Sequence, residues 1–221
     1  MARFTLQEEK KLWKKGFKRV VGLDEAGRGP LAGPVVAAAV TLNTKYKITD
    51  DKIRDSKKLT AKQREHFFKV FISQRSVQWG VGRVSEKLID KINIKNAAEL
   101  AMEKALFNLE KKMSKNADFL IIDGNHLSNP KLKSIKHKLI VKADEKVFSC
   151  TAAGIIAKVW RDMIMQGLHF KYPKYRFDKH KGYPTKFHIK TLQKYGECAI
   201  HRNSFQYHGR PKTKAHQIKK K

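Results

Sequence analysis

The sequence has few cysteines and no long apolar segment, and both shortages exclude classes of protein. Its two cysteines, Cys150 and Cys198, lie far apart and form no C-x-x-C pair, which excludes a disulfide framework and a zinc ribbon. The longest purely apolar run, Val35 to Val40, is too short to cross a bilayer. The charged N-terminus is not followed by the apolar segment of a secretory signal. We therefore expect a soluble, cytoplasmic protein that does not contact a membrane.

Acidic residues are also scarce beside basic ones. The chain carries 20 Asp and Glu against 49 Lys and Arg, which gives a formal net charge of +29 and a pI near 10.2. From Phe170 to Lys221 only Asp178 and Glu197 are acidic, and aromatic residues are interleaved among the basic ones. Basic side chains neutralise phosphates and aromatic rings stack on bases, so this pattern favours a nucleic-acid partner. The charge alone is equally consistent with a non-catalytic RNA- or DNA-binding protein.

The 221 residues, of which 41% are hydrophobic, are enough for one packed domain with a small appendage. Alternating apolar residues predict strands, and apolar stripes with helical spacing predict helices. Strands are predicted at 19–24, 35–42, 77–84, 117–122 and 139–141, and helices at 60–72, 90–113, 146–167 and 185–195. Early strands with short connections would pair antiparallel, whereas later strands separated by helices would add parallel. The predicted fold class is therefore α/β, a mixed β-sheet flanked by helices, with a small C-terminal helical subdomain.

Four carboxylates stand where predicted strands end. Asp24 and Glu25 close the first strand, Asp123 closes a central strand, and Asp144 follows the strand at 139–141. Neighbouring strands can bring such ends together, and clustered carboxylates repel one another unless they hold divalent cations. Mg²⁺ or Mn²⁺ suits these ligands, and a pair of such ions is a known device for cleaving phosphodiesters. Taken singly, Asp144 could instead be an acid favoured by a helix dipole, and Asp123 a turn former.

A glycine-rich turn follows the first two acids. Adjacent side chains on a regular strand point to opposite faces, so Asp24 and Glu25 converge only if the strand bends, and the Gly-Arg-Gly-Pro turn at 27–30 supplies a bend. Residues 27–32 formally match a dinucleotide-binding turn, but Pro34 and the Val-rich run after it predict a strand where that turn requires a helix. Glycines beside acids would let main-chain groups approach a sugar hydroxyl closely.

Six blocks of sequence form one ordered set between about residues 20 and 205. They read V-G-L-D-E-A-G-R-G-P-L-A-G-P-V-V at 21–36, D-S-K-K-L at 55–59, I-D-G-N at 122–125, K-A-D at 142–144, A-K-V-W-R-D at 157–162 and K-G-Y-P-T at 181–185. Together these blocks resemble the ribonuclease HII family, the bacterial type 2 ribonucleases H. The first block alone would be hard to obtain by chance.

The resemblance implies a ribonuclease H-like fold and a metal-dependent endonuclease that uses two divalent ions, Mg²⁺ or Mn²⁺. The implied substrates are RNA–DNA hybrids and duplex DNA that contains embedded ribonucleotides. Such DNA would be cut on the 5′ side of the ribonucleotide, leaving 3′-hydroxyl and 5′-phosphate ends. Roles in ribonucleotide excision repair and RNA primer removal follow from this activity, and nothing in the sequence suggests more than a monomer.

The resemblance also implies roles for individual residues. The family's metal-binding acids correspond to Asp24, Glu25, Asp123 and Asp144. Its turn that senses the 2′-hydroxyl, the group that distinguishes RNA from DNA, corresponds to Gly27, Arg28 and Gly29. Its phosphate-contacting loop corresponds to Ser56 and Lys57, and its tyrosine that packs on the nucleotide at the RNA–DNA junction corresponds to Tyr183.

Some features differ from the family or extend the comparison. Residues 148–154 depart from the usual Ser- and Ala-rich stretch and Trp160 replaces a smaller residue, which concerns helix packing rather than chemistry. The related ribonuclease HIII type has another glycine turn and an N-terminal platform, so junction cleavage is favoured. Asp162 is expected to lie outside direct metal ligation, and the block of Arg202, Ser204 and Phe205 to anchor the subdomain and a phosphate. The implied segments are a basic lead-in at 1–18, a catalytic domain at 19–168, a substrate-binding subdomain at 169–210 and a mobile tail at 211–221.

Overall fold

The central element is a five-stranded sheet, seen in a computed structural model that describes residues 5–46 and 59–207. Its strands are β1 (Val20–Ala26), β2 (Val35–Leu42), β3 (Val77–Val84), β4 (Phe119–Asp123) and β5 (His137–Ile140). They lie in the order β3-β2-β1-β4-β5. β2 is antiparallel to β1 and β3, whereas β4 is parallel to β1 and β5 is parallel to β4. The prediction of a mixed sheet, antiparallel early and parallel later, is confirmed.

Helices cover the sheet on both faces. Within the described residues they are α1 (Gln7–Lys14), α2 (Ala61–Ser73), α3 (Glu86–Met113), α4 (Pro130–Lys133), α5 (Phe148–Lys171), α6 (Phe177–His180) and α7 (Lys186–Tyr195). Short 3₁₀ turns lie at Ala143–Glu145 and Pro173–Tyr175. None of the helices in these ranges combines the length and apolarity that a bilayer crossing needs.

Side-chain caps explain where the helices begin. The Thr60 hydroxyl accepts a hydrogen bond from the Gln63 amide at 3.3 Å, and the Gln63 side chain accepts one from the Thr60 amide at 2.8 Å. This capping box starts α2 within one residue of the predicted position. α3 begins at Glu86, ahead of the predicted start at 90, because Ser85 caps it. The apolar stripe hid this first turn because Asn93, with φ of 64°, interrupts the helix.

Alternation along the strands decides which face each side chain meets. Val21 and Leu23 of β1 pack in the cluster beneath α3, as do alternate residues of β2 and β4. The opposite face of β2 packs on α2 and α5, with Val40 and Ile156 in one cluster. Position 24 of β1 therefore faces α5, and position 25 faces α3. The sheet separates the two adjacent acids before any bend begins.

Beyond α5, short helices fold back over the loop that joins β1 to β2. Phe177 of α6 shares a buried cluster with Leu31 of that loop and Met165 of α5. The C-terminal segment (residues 169–207) is thus packed against the glycine-rich turn. Because α5 runs to Lys171, the predicted division between 168 and 169 falls inside this helix.

The far half of α5 buries a different stripe from its first half. The helical spacing of Ala152, Ile156, Val159 and Met163 predicts one buried stripe, and Ala152 and Ile156 do face the sheet. The sequence also predicts Cys150 as a small core residue, and it is buried. The expectation that Met163 is buried is wrong, because its side chain is 53% exposed while Arg161 is fully buried. Past the sheet, α5 packs against the loop after β1 and the C-terminal helices, so another side of the helix faces inward. The predicted tail at 211–221 lies outside the described residues.

Candidate active site

Three of the predicted acids meet at one edge of the sheet. Asp24, Asp123 and Asp144 each offer a carboxylate oxygen, and these oxygens lie within 4.8 Å of one another. β1 and β4 are parallel neighbours with Leu23 beside Ile122, so the residues that follow them lie side by side. Asp144 arrives from the 3₁₀ turn after β5, rather than from the start of the long helix.

This acid triad (Asp24, Asp123 and Asp144) concentrates negative charge in a buried place. Burial and the charges of Glu25, Asp123 and Asp144 raise the pKa of Asp24 well above its usual range, against one hydrogen bond from the Glu25 amide. Asp123 Oδ1 accepts a hydrogen bond from the Ala143 amide at 2.8 Å, which orients its side chain. Hard carboxylate oxygens at this spacing fit Mg²⁺ or Mn²⁺, whose charge would relieve the repulsion.

Glu25 lies beside the triad but on the other face. β1 remains paired with β2 through Ala26, so the expected bend begins only at Gly27, after both acids. The Glu25 side chain lines a small cavity on the α3 side that it shares with Asp123, and its oxygen is not among the three mutually close ones. Arg28 Nη1 lies 3.1 Å from Glu25 Oε1. Burial raises the pKa of Glu25, and Arg28 opposes that rise.

A helical glycine makes room for the first acid. A Cβ added to Gly154 of α5 would lie 2.3 Å from Asp24 Oδ2, so the Asp24 carboxylate or the helix would have to shift. Gly154 belongs to the stretch at 148–154 that departs from the family pattern. Its contact with Asp24 means that this departure touches the site itself and not helix packing alone. A glycine in the middle of a long helix was the signal in the sequence.

The glycine turn holds its carbonyls inward. Gly27 has φ of +102°, and Arg202 donates hydrogen bonds to the carbonyls of Gly27 at 2.7 Å and Arg28 at 3.0 Å. In a trans peptide the N–H points away from the preceding C=O. The amides of Arg28 and Gly29 therefore point away from the buried guanidinium, towards the open side of the turn.

One cavity of about 420 Å³ joins Asp24, Glu25 and Asp144 to the glycine turn and the predicted tyrosine. Tyr183 is 41% exposed, and its ring atom Cε1 would lie 3.7 Å from a Cβ on Gly29. The full lining is Asp24, Glu25, Ala26, Gly27, Arg28, Gly29, Arg64, Asp144, Gly154, Ile155, Lys158 and Tyr183. Acids that could hold cations and a turn with outward amides thus share one opening.

Sequence reasoning missed several residues of this cavity. Arg64 on α2 gave no signal, since it is one of many basic residues. Lys158 lies in a matching block but was given no role, and its Nζ lies 2.8 Å from Asp162 Oδ1. Asp162 therefore pairs with a lysine and is not one of the three clustered acids, in line with the expectation. Ser56 and Lys57, predicted to contact phosphate, lie outside the described residues.

Arg202 differs from its predicted role in part. It anchors the C-terminal segment to the glycine turn, as expected, but its side chain is 1% exposed. Its Nε also donates to the Gly33 carbonyl at 2.9 Å, so the guanidinium binds backbone oxygens on three sides. A phosphate contact is therefore wrong for this arginine, because no face of it reaches solvent.

Comparison with known proteins agrees with this arrangement. Residues 21–208 match the family model described as Ribonuclease HII. Over 197 residues the chain is 47% identical to "Ribonuclease HII" of Caldicellulosiruptor bescii, covering 89% of this chain and 91% of that protein. It is 49% identical over 197 residues to "Ribonuclease HII" of Acetivibrio thermocellus, covering 89% and 73% respectively. The solved structure of ribonuclease H2 from Pyrococcus horikoshii OT3 superposes with a TM-score of 0.67 at 27% identity, covering 85% of this chain and 94% of that one.

Proposed function

Because the chain belongs to the ribonuclease HII family, we propose that it is a metal-dependent endonuclease that cuts RNA in RNA–DNA hybrids and duplex DNA at embedded ribonucleotides. Cleavage falls on the 5′ side of the ribonucleotide and leaves 3′-hydroxyl and 5′-phosphate ends. The observation that carries the proposal is the cavity in which Asp24 and Asp144 of the acid triad face the glycine turn.

The acids supply the metal-binding part of the reaction. Asp24, Asp123 and Asp144 hold divalent cations, and Glu25 completes the set from the other face of β1. Two such ions would activate the attacking water and stabilise the leaving oxygen. Burial and the carboxylates around Asp24 raise its pKa, so its negative charge is costly without a cation. The Ala143 amide keeps Asp123 aimed at the same point.

The glycine turn determines which phosphate of the substrate is cleaved. The outward amides of Arg28 and Gly29 donate to the 2′-hydroxyl oxygen, while Tyr183 packs on the sugar or base beside it. A deoxynucleotide offers no such oxygen, so its phosphate is not held over the acids. Support for this role comes from the inward carbonyls of Gly27 and Arg28, which fix the direction of the amides.

The C-terminal segment, described up to residue 207, supplies the duplex-binding surface. Phe170, Phe187 and Tyr195 expose 84%, 45% and 47% of their surfaces. Arg176 lies 5.6 Å from the Phe187 ring and Lys194 lies 5.2 Å from the Tyr195 ring, so cations and rings alternate over this surface. Such a surface suits a phosphate backbone.

The remaining expectations belong to the same proposal. Ser56 and Lys57 contact a phosphate of the substrate. Residues 19–168 form the catalytic domain and 169–210 the substrate-binding subdomain, between a basic lead-in at 1–18 and a basic tail at 211–221. The protein acts as a cytoplasmic monomer in ribonucleotide excision repair and in RNA primer removal.

One gel tests the proposal. A labelled DNA duplex with a single ribonucleotide is incubated with and without Mg²⁺, beside an all-deoxynucleotide duplex of the same sequence. We expect one Mg²⁺-dependent nick, 5′ to the ribonucleotide, and none in the control duplex. The alternative, a non-catalytic nucleic-acid-binding protein, is favoured by the net charge of +29 and predicts salt-sensitive binding to both duplexes without product.

A further inference from the structure

We propose that Arg161 and Arg202 are positioning residues that hold the glycine turn in the conformation that recognises a ribonucleotide. The inference rests on the proposed reading of the 2′-hydroxyl by that turn. Both arginines lie outside the cavity lining and neither can touch the substrate, because their side chains are 0% and 1% exposed. Their effect on the reaction must therefore pass through the main chain that they bind.

Arg202 binds the turn at its two ends. Its Nη2 and Nη1 donate to the carbonyls of Gly27 at 2.7 Å and Arg28 at 3.0 Å, and its Nε donates to Gly33 at 2.9 Å. The Arg202 amide also donates to the Leu31 carbonyl at 2.8 Å. Four carbonyls between residues 27 and 33 are thus held by one residue from the C-terminal segment.

Arg161 connects the turn to the loop that carries Tyr183. Its Nε donates to the Pro34 carbonyl at 2.9 Å and its Nη2 to Ala32 at 3.1 Å. Its Nη1 donates to Lys181 at 3.0 Å, two residues before the tyrosine. The guanidinium carbon lies 6.0 Å from the Tyr183 ring centroid. One side chain therefore sets the spacing between the turn and the tyrosine that pack around the same nucleotide.

The choice of arginine follows from its shape. A guanidinium is a planar fork of five N–H donors, so it can hold several carbonyls in fixed directions, whereas a lysine is a point charge without that geometry. All six side-chain hydrogen bonds described above end on backbone carbonyls. Drawing a carbonyl inward turns the next amide outward, and those amides are the groups that would meet the 2′-hydroxyl.

Gly27 supports the same conformation of the turn where its backbone packs against Arg161. A Cβ at this position would lie 2.2 Å from Arg161 Nε, so the guanidinium packs directly on the glycine backbone. The φ of +102° is also one that side chains rarely adopt. The glycine and the arginine therefore specify the same conformation of the turn.

The test combines a protein change with a substrate change. Arg202→Lys and Arg161→Lys are compared with the parent protein on two duplexes, one with a single ribonucleotide and one with a 2′-fluoro nucleotide at the same position. Single-turnover rates with excess protein and Mn²⁺ keep the slower substrate measurable. We expect the lysine variants to lose at least about tenfold on the ribonucleotide and less than about twofold on the 2′-fluoro duplex, so that the ratio of the two rates collapses.

Equal loss on both duplexes would overturn the inference, since a purely structural role lowers every rate in proportion. Arg75→Lys, an exposed arginine in the turn before β3, is the matched control and should leave the ratio unchanged. Thermal melts establish that each variant folds. If both lysine variants fail to fold, the arginines serve stability alone and the inference falls. A parent protein that does not nick the ribonucleotide duplex refutes the proposed function itself, which separates the two failures.

Discussion

The two sides of the cavity bury charge in opposite ways, with acids at the cavity and an arginine behind the glycine turn. On one side, the groups with the largest electrostatic effect on Asp24 are other carboxylates, and together with burial they raise its pKa well above the usual range. On the other, burial lowers the pKa of Arg202 to about 9, yet its side chain is bound by three backbone carbonyls. Each acid of the triad lies close to two other carboxylates, whereas the arginine is bound by carbonyl dipoles from its own chain.

This difference separates a binding site from a scaffold. Both sides contain perturbed groups, so a shifted pKa alone does not distinguish them. A cation from outside would relieve the repulsion within the acid triad, which is the property of a metal site. The arginines already have their partners, so they fix the main chain and gain nothing from a ligand. The predictions below test this contrast, beginning with the largest effect.

Replacing an acid of the triad should lower the activity and raise the stability of the metal-free protein. Replacing Asp24 with Asn removes a buried charge that its neighbours repel, so nicking should fall by at least about 1,000-fold while the metal-free protein becomes more stable by about 1 kcal/mol or more at neutral pH. Because the folded pKa of Asp24 is raised, its ionisation destabilises the fold, and this gain should shrink as the pH falls. Gel assays and thermal melts with and without Mg²⁺ measure both effects.

Two further observations sharpen that prediction. Mg²⁺ should raise the melting temperature of the parent but much less that of Asp24→Asn, because the cation binds the folded state through the triad. Asp123→Asn should lose nicking to a similar degree while still binding the duplex. Full activity in Asp123→Asn would remove this residue from the site.

A methyl group placed against Asp24 should lower the nicking rate almost as strongly as loss of its carboxylate. Gly154→Ala places a Cβ 2.3 Å from Asp24 Oδ2 and should displace that carboxylate, lowering the nicking rate by about 100-fold. Gly167→Ala is the matched control on the same helix, because its Cβ would meet nothing within 4 Å. The control should keep full activity and gain up to about 1 kcal/mol of stability. Equal activity in the two variants would contradict the close approach.

Near the backbone carbonyls that Arg161 and Arg202 bind lies a buried pair of histidines, His188 and His201. His188 Nδ1 donates to the Tyr183 carbonyl at 2.9 Å, which leaves its Nε2 to accept from His201 Nε2 at 3.1 Å. Burial lowers the pKa of His188 to about 4, so the folded state excludes a proton that the unfolded state binds near pH 6.5. Stability contributed by neutral His188 is present above pH 6.5 and lost as the pH falls towards 4.

Lowering the pH from 6.5 to 4 should therefore reduce the free energy of unfolding of the parent by up to about 3 kcal/mol through the protonation of His188. His188→Gln should be less stable than the parent at pH 7, and the difference should narrow by pH 4. His137→Gln, at an exposed position on β5, is the control and should leave the slope unchanged. Urea denaturation at several pH values measures these slopes, and a parallel pH profile for His188→Gln would refute the assignment.

Substitutions on the proposed duplex-binding surface should have the smallest effect, a modest change in duplex affinity. Lys194→Ala removes one cation beside the exposed Tyr195 ring, so duplex affinity should fall a few-fold and the slope of log K against log salt should fall by about 0.9. Lys111→Ala removes the same charge at the far end of α3 and should leave the slope as it was. Fluorescence anisotropy at several salt concentrations compares them, and equal slopes would place the duplex elsewhere.

Much of the fold was predictable because its signals are local. β2 and β3 have the predicted bounds, and α2 and α7 each begin one residue after the predicted start, directly behind Thr60 and Thr185. The bend that the sequence predicts at Asp24 and Glu25 was wrong, because β1 stays paired with β2 through Ala26 and the strand period then places the two acids on opposite faces. The buried stripe in the far half of α5 was not predictable, because periodicity does not reveal that the packing partner changes.

The sequence by itself determined the strands, the acids at their ends and the ordered blocks that resemble one family, since each depends on residues close together in the chain. Only the tertiary structure decided that three acids share one point while Glu25 turns to Arg28, and that Arg161 and Arg202 bind carbonyls 127 to 175 residues away in the chain, apart from the bond to Lys181. The physical reason is that a backbone carbonyl carries no side-chain identity. A buried arginine that binds one therefore leaves no pattern in the sequence that would name its partner.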